Sequence, residues 1–509
     1  MFAAAADHAA VSQRLQKQAQ AMLRAPFLHL TCGGCHLCPV CAKRTGEPCH
    51  HPALALPSLE GCAVEASGGL SEPTPAEEKA GRRLSCQIVL LRDAEVWLKN
   101  DAATAVELSG SAPTLGTALG RRFGAALDLG TTTIAMKLYD LQDGHLLAEE
   151  GLPNPQRRIA ADVMGRIGAA MSGRLEDLQE MALSSIQTLL DRVCAGAGIG
   201  TDQVDALVVA GNTTMLYLLT GRDTACLSRA PFRADHLFGH PDTLLGIPVY
   251  YPPCMNAFVG ADITCAVLDS GMTEKPGIHL LCDIGTNGEI ALWKDGTLYV
   301  TSTAAGPAFE GAGISCGCSS VPGAIDRVWL EDGQVKIHTI ADKEACGVCG
   351  SGLIDAIAAF LELERIDETG FAEEDDLSLT ENVALIPADV RAVQLAKGAI
   401  AAGIRTLLEE ARVSEEEIGT LFIAGGFGSH LNVASAAAIG LIPPHLQQKV
   451  CVLGNAALSG AAKILLDKQE MARAEQTAQC ARHVNLGGSS RFNQHFMEAM
   501  LFGEDDLFD

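Results

Sequence analysis

The feature that most constrains this chain is a strand–turn–strand unit that occurs twice. The first copy reads AALDLGTTTIAMKLYD and the second LLCDIGTNGEIALWKD, and their aspartates are Asp128 and Asp283. Each copy is an apolar strand that runs into Asp-apolar-Gly-Thr and then turns into a second apolar strand. The two lie about 155 residues apart, too long for a solenoid repeat and suited to a duplicated domain. Hydrophobic residues make up 48% of the 509. That is enough to fill the cores of the roughly three to five units that such a length implies.

The unit has a plain chemical use. Glycine lets the backbone turn sharply and come close to an anion. The backbone N–H groups and hydroxyls that follow can donate to phosphate oxygens. The aspartate at the strand end can hold Mg²⁺, which favours one or two carboxylates together with phosphates. The phosphate-binding candidates are therefore Gly130, Thr131, Thr132 and Thr133 in the first copy. In the second they are Gly285, Thr286, Asn287 and Gly288. A single hairpin of this kind is equally an ordinary turn with Asp and Gly in their usual places. Two of them, facing each other, would grip a polyphosphate from both sides. A third element, LFIAGGFGSHL at 421–431, ends an apolar strand in Gly425, Gly426 and Gly428. Alone it is a weak signal. After both hairpins it reads as a loop that lies flat against a base or ribose.

The net charge of -25, from 37 basic and 62 acidic residues, repels phosphate backbones and excludes nucleic acid as a partner. No apolar run reaches the roughly 18 residues of a membrane span. The N-terminus, MFAAAADHAAVSQRLQKQAQ, lacks the basic start and apolar block of a secretory signal, so a cytoplasmic location is expected. Eighteen cysteines are present, seven of them early: Cys32, Cys35, Cys38, Cys41, Cys49, Cys62 and Cys86. In a reducing compartment such a cluster points to metal rather than to disulfides.

The order of the elements resembles the superfamily of acetate and sugar kinases, heat-shock chaperones and actin. FVGADITCAVLDSG (258–271) and VLGNAALSGAAKILL (452–466) stand where that superfamily has its two connecting helices. The resemblance implies an α/β fold, a duplicated actin-like and RNase H-like ATPase core in two lobes, binding ATP with Mg²⁺. It assigns catalytic roles to Asp128 and Asp283. In that superfamily a carboxylate or amide near the first connecting helix orients the attacking water, and here the residue is Asp262. As an N-cap or first-turn aspartate it has an equally good structural reason to be there.

Five further stretches narrow the resemblance: NPQRRIAADVMGRI (154–167), GNTTMLYLL (211–219), STAAGPAFEGAGI (302–314), GVCGSGLIDAIA (347–358) and QLAKGAIAAGI (394–404). Together they resemble reductive activators of corrinoid proteins over about residues 66–470. The resemblance implies ATP-dependent return of a Co(II) corrinoid protein to Co(I) in support of a methyltransferase system. It also implies a low-potential electron donor, and it leaves room for a homodimer.

That family usually carries an N-terminal 2Fe–2S ferredoxin domain, and here the chain departs from it. Residues 61–91 resemble the back half of such a ferredoxin, with Cys62 and Cys86 at the last two ligand positions. The front half is absent, and its cysteine positions fall among Ala53, Leu54, Ala55 and Leu59. In its place the stretch from Leu28 to Cys62 resembles predicted cysteine-rich metal-binding proteins. Two ligand sets compete. Cys35, Cys38, Cys41 and Cys49 form a compact four-thiolate set suited to 4Fe–4S; Cys32, Cys38, Cys41 and Cys86 come close to 2Fe–2S spacing. The P-C-x-x-P context after the triplet favours the first, and a structural zinc site is a third reading.

The expected organisation is thus a cysteine-rich iron–sulfur module at 1–66 and a ferredoxin-like remnant with linker at 67–120. The first ATPase lobe spans 121–272, the second 273–470, and a C-terminal tail 471–509, with GEDDLFD as a solvated end. Two other functions share this core: a small-molecule kinase, and a non-catalytic ATP-gated interaction module with structural zinc. Iron analysis and electron paramagnetic resonance of anaerobically purified variants separate the ligand sets. Cys49→Ser abolishes the cluster under the 4Fe–4S assignment and leaves it intact under the 2Fe–2S one. Cys86→Ser does the reverse.

Overall fold

The structure is a computed structural model. It describes residues 27–30, 63–70, 83–84, 90–97, 106–372, 377–426 and 430–503. In the N-terminal region it gives an antiparallel four-stranded sheet in the order Phe27–Leu30, Leu90–Trp97, Ala63–Leu70, Arg83–Leu84. The candidate ligands Cys35, Cys38, Cys41 and Cys49 lie outside the described residues.

The duplication read from the hairpins is visible in the topology. In the first lobe the sheet runs Leu146–Pro153, Thr133–Asp140, Phe123–Leu129, Val204–Ala210, Ile247–Tyr251, with His240–Leu244 at the edge. In the second lobe it runs Thr297–Thr303, Gly288–Lys294, Ile278–Ile284, Ile418–Ala424, Val450–Gly454, with Ala481–His483 at the far edge. Without the edge strands, each sheet has the order 3-2-1-4-5. Strands 1 to 3 are an antiparallel meander, and strands 4 and 5 are parallel to strand 1. A long helix crosses between strands 3 and 4 in each, Leu175–Ala197 and Pro387–Ala411. Such parallel additions need a crossover helix.

The first strand of each lobe is apolar throughout because both its faces are covered. Ala125, Leu127 and Leu129 face the long helix of their lobe, while Ala126 faces the other way with Ala206 and Val208. Helix Ala456–Leu466, which follows the other lobe, packs on that second face through Leu458, Ala461 and Leu465. Helix Ala261–Ser270 does the converse: Ile263, Ala266 and Val267 pack against Leu281, Ala291 and Phe422 of the second-lobe sheet. The two helices cross where Gly460 meets the backbone of Cys265, so closely that a Cβ on Gly460 would overlap the Cys265 carbonyl oxygen. One turn further, Lys463 Nζ pairs with the fully buried Asp269 carboxylate at 3.1 Å and donates to the Asp269 carbonyl at 2.9 Å.

Two stretches set apart in the sequence are built into this core. The linker's described part, from Val106, runs along the second connecting helix. Gly116 and Leu119 donate to the Leu466 and Leu465 carbonyls at 3.0 and 2.9 Å, and Val106, Leu108 and Leu115 pack on the first-lobe sheet. Residues 471–503 of the tail supply strand Ala481–His483, parallel to Thr297–Thr303, and helix Ser490–Glu498. An isolated edge strand of three residues gave no readable pattern in a polar stretch. Among the described residues no helix is long and apolar enough to cross a membrane.

Two helix glycines should respond to alanine with opposite signs. Gly460→Ala inserts a methyl group against backbone and should cost about 1–3 kcal/mol. Gly168 has open space around its Cβ position, so Gly168→Ala should stabilise by about 0.5–1 kcal/mol. Thermal unfolding of the two variants checks both signs.

Candidate nucleotide site

The hairpin turns face each other across the cleft between the lobes. Asp128 pairs in register with Ala210 on the neighbouring parallel strand, and Asp283 with Ala424. Each aspartate is thus the last polar group of a strand that is otherwise core. The helix starts complete the floor. Asp262 sits in the first turn of Ala261–Ser270, whose N-cap is Gly260. It is not the N-cap: its Oδ1 accepts the N–H of Ile263 at 2.8 Å. Asn455 caps the other connecting helix by accepting the Leu458 N–H at 2.9 Å, and its amide donates to Asp128 Oδ2 at 3.0 Å.

The three aspartates keep part of their surface open to the cleft, but the protein around them displaces most of the water. Burial pushes Asp128 up to about 7, with Asn455 holding it down and Asp283 pushing it further. Burial, then Asp283, pushes Asp262 up to about 8. Burial alone takes Asp283 to about 6. Glu289, opposite Asp283 on the returning strand, is held well above the usual carboxylate range by burial, then by Asp262 and Asp283. The charges that act on these groups are largely one another's, which favours a cation. Among the described residues no three His, Cys, Asp or Glu side chains converge to cage a metal. Mg²⁺ does not ask for that: it takes one or two carboxylates and completes its shell with water and phosphate. Asp128 and Asp283 fit that demand.

The first turn is braced from behind. Asn154 donates to the Gly130 carbonyl at 2.8 Å through its side chain, and to the Thr132 carbonyl at 2.8 Å through its backbone. Arg166, fully buried, donates to the Thr131 carbonyl at 2.6 Å and to Gln156 Oε1 at 3.1 Å. Asn212 donates to Thr131 Oγ1 at 3.0 Å. With the carbonyls held back, the loop's donors are left to face the cleft. Thr133 and Gly288 are the first residues of the returning strands rather than part of the turns. Gly288 has a packing reason to be glycine, since a Cβ there would sit 2.7 Å from Thr303 Oγ1 and 2.9 Å from Ile400 Cγ1. In the second turn Gly285 donates to the Asn287 carbonyl at 3.0 Å, and Gly306 to that of Thr286 at 2.9 Å.

Gly425 has φ +95°, and a Cβ there would lie 2.7 Å from Asp283 Oδ1. The glycine pair therefore enters the cleft beside the second aspartate, with Gly426 next to it; Gly428 lies outside the described residues. The sequence did not single out Asn154, Arg166, Asn212, Glu289, Glu310 or Asn455. Five of them lie inside the quoted stretches or the second connecting segment. Glu310 stands out there as the acid of a run of Gly, Ala and apolar residues, whereas Asn154 and Arg166 lie among other polar residues and carry no such signal.

Comparison with known proteins places the chain among corrinoid-activating proteins. Residues 277–509 match the family model "C-terminal domain of RACo the ASKHA domain", and residues 123–275 match "RACo middle region". Residues 1–72 match a family described as predicted metal-binding protein. The chain is 33% identical over 422 residues to the corrinoid activation enzyme RamQ of Eubacterium limosum, covering 75% of this chain and 71% of that one. It is 27% identical over 421 residues to the [Co(II) methylated amine-specific corrinoid protein] reductase of Methanosarcina barkeri, 74% and 76% of the two chains. A solved reductive activator for corrinoid, iron–sulfur protein superposes with a TM-score of 0.69 at 27% identity, over 91% of this chain and 93% of that one.

The raised carboxylates give a pH dependence of stability. A carboxyl whose folded pKa lies above its unfolded value of about 3.9 stabilises the fold below that value and loses this contribution as pH rises through the folded pKa. Asp128, Asp262 and Asp283 therefore make the protein less stable as pH climbs from about 4 to about 8. Asp283→Asn removes one of these charges. Its Tm should match the wild type near pH 4 and exceed it by about 2–4 °C at pH 8, which thermal unfolding at the two pH values checks.

Proposed function

Since the chain belongs to the family of reductive activators of corrinoid proteins, we propose that it couples ATP, held between its two lobes, to one-electron reduction of a corrinoid protein from Co(II) to Co(I). The observation that carries this reading is the meeting of Asp128, Asp262 and Asp283 in one desolvated cleft between two opposed, phosphate-type turns.

Mg²⁺ bound with the nucleotide would offset the negative charge that the cleft concentrates. Asp128 and Asp283 would hold it from the two lobes. Asp262, whose raised pKa lies near neutrality, suits a group that orients water and takes its proton. Gly130, Thr131, Thr132 and Thr133 on one side, and Gly285, Thr286, Asn287 and Gly288 on the other, would hold the phosphates. Gly425, Gly426 and Gly428 would lie against the adenosine.

The N-terminal cysteines supply the redox half of the reading. An iron–sulfur cluster on Cys35, Cys38, Cys41 and Cys49, of the 4Fe–4S type, would furnish the electron, itself drawn from a low-potential donor. Co(I) is a strong reductant, so the transfer is unfavourable with ordinary donors. The protein's part is to position the centres and to couple a change of lobe geometry to nucleotide. Nucleotide can shift that equilibrium only by its differential affinity for the two arrangements. The match of residues 1–72 to a metal-binding family supports a metal in this module. The module also argues against a kinase, which has no need of one.

The two halves can be separated in the full-length chain. Cys38→Ser should keep ATP hydrolysis near wild type and lose corrinoid reduction. Asp283→Ala should lose both while remaining folded. The readouts are phosphate release and the visible absorption change on formation of Co(I). Equal corrinoid reduction by Cys38→Ser and wild type would make the N-terminal metal structural, and the zinc reading would then stand.

A further inference from the structure

Glu310 belongs to STAAGPAFEGAGI and is used by none of the roles above. Its backbone is fixed. Phe309 beside it is 2% exposed in the second-lobe core, and the turn Ala308–Glu310 is closed by the Glu310 and Gly311 N–H groups, each donating at 3.0 Å. Gly311 follows at φ +77°, where a Cβ would overlap the Cys318 carbonyl oxygen, so the chain has one way to leave the turn. From this platform the carboxylate reaches into the cleft. Oε1 accepts from Thr286 Oγ1 and Oε2 from Thr132 Oγ1, both at 2.7 Å. One threonine comes from each phosphate turn, and so from each lobe.

A threonine hydroxyl has a single proton to donate. Neither Thr132 nor Thr286 can donate to Glu310 and to a phosphoryl oxygen at once. The carboxylate presents what a phosphoryl group would present in the same place: a negative charge with two oxygens, each taking one hydroxyl proton. We propose that Glu310 is an interlobe latch that competes with the terminal phosphoryl group of ATP for the hydroxyls of Thr132 and Thr286. The proposal rests on the nucleotide reading given above. When the phosphoryl group takes both protons, the released carboxylate faces it as a like charge and must turn away. The direct tie from Glu310 in the second lobe to Thr132 in the first is then lost. Arg166 feels the charge of Glu310 but stays fixed on the Thr131 carbonyl, so the exchange is confined to the carboxylate and the two hydroxyls. Glu310 thus links occupation of the terminal phosphate position to the contact between lobes. ADP, which lacks that phosphoryl group, has no such competition to overcome.

The test uses the full-length protein, titrated by calorimetry with Mg²⁺ and either a non-hydrolysable ATP analogue or ADP. Glu310→Ala should bind the ATP analogue about tenfold tighter, the factor expected if the latched form holds about nine-tenths of the population. Its affinity for ADP should stay unchanged, because a ligand that binds both forms equally is not affected by their ratio. Glu310→Gln, which keeps the shape and loses the charge, should shift in the same direction by a smaller factor, and KM for ATP should fall in parallel. Weaker binding of the analogue by both variants would make Glu310 a nucleotide or metal contact and overturn the latch. A loss of kcat with unchanged affinity would make it a base, and would overturn the latch equally. Equal gains for ADP and the analogue would also overturn it. Absence of nucleotide binding by the wild type would instead defeat the nucleotide reading itself.

Discussion

The structure depends on how closely two helices can cross. Ala261–Ser270 follows the first lobe in the chain but packs on the second-lobe sheet, and Ala456–Leu466 does the reverse. Each lobe is thereby covered by a helix that the other lobe supplies. The exchange is possible only if the helices pass backbone to backbone, and Gly460 against Cys265 is where they do so. The pair of half-buried Lys463 with buried Asp269 lies one turn beyond the crossing. Removing Lys463 would leave the Asp269 charge buried without this partner, which is destabilising. The crossing brings the N-terminal ends of both helices to the cleft floor. Asp262 and Asn455 consequently meet there with Asp128 and Asp283, which the strand ends deliver.

The arrangement is nearly two-fold, and the departure from symmetry is informative. Each phosphate-turn aspartate is met by a residue from the start of the helix that follows the opposite lobe. For Asp128 that residue is the amide Asn455, which donates to it and lowers its pKa against burial. For Asp283 it is the carboxylate Asp262, whose own pKa is raised by burial and then by Asp283. One half of the cleft is therefore satisfied by a neutral donor, and the other half holds two like charges. Both halves nevertheless hold a carboxyl that burial raises, Asp128 to about 7 and Asp262 to about 8.

The duplicated fold was legible because the hairpin repeats a rare local constraint. A glycine turn after an apolar strand ending in aspartate is written in a few adjacent residues, so the sequence shows it directly. The connecting helices were legible for the same reason, as short apolar runs of small residues. What was not legible arises between segments distant in the chain. Asn455 is an N-cap in the structure, and its bond to Asp128 depends on the helix crossing. Glu310 reads as one acid in a glycine-rich loop until the cleft places Thr132 beside it. Strand Ala481–His483 is too short to carry a period, and its partner strand alone makes it a strand. The cysteine ligand set is different again: several spacings satisfy the same chemistry, and seven thiols offer more donors than four positions require.

The segment described from Val106 lies along the start of the second connecting helix, beside the same crossing. The Asn455 amide donates to the Glu107 carbonyl at 3.2 Å as well as to Asp128, and its backbone N–H donates to the Ser109 carbonyl at 2.9 Å. An amide nitrogen has two protons, and here one goes to the entering segment and the other to the phosphate-turn aspartate. Gly454, just before, has φ +71° and leaves no room for a Cβ against Ser109. A cation that drew Asp128 away from Asn455 would free one of these protons and alter the balance at the other. By linkage, anything that displaced residues 107–109 would act on Asp128 with the same free energy. Residues 107–109 and the first-hairpin aspartate are thus held by one residue, Asn455, at the start of the second connecting helix.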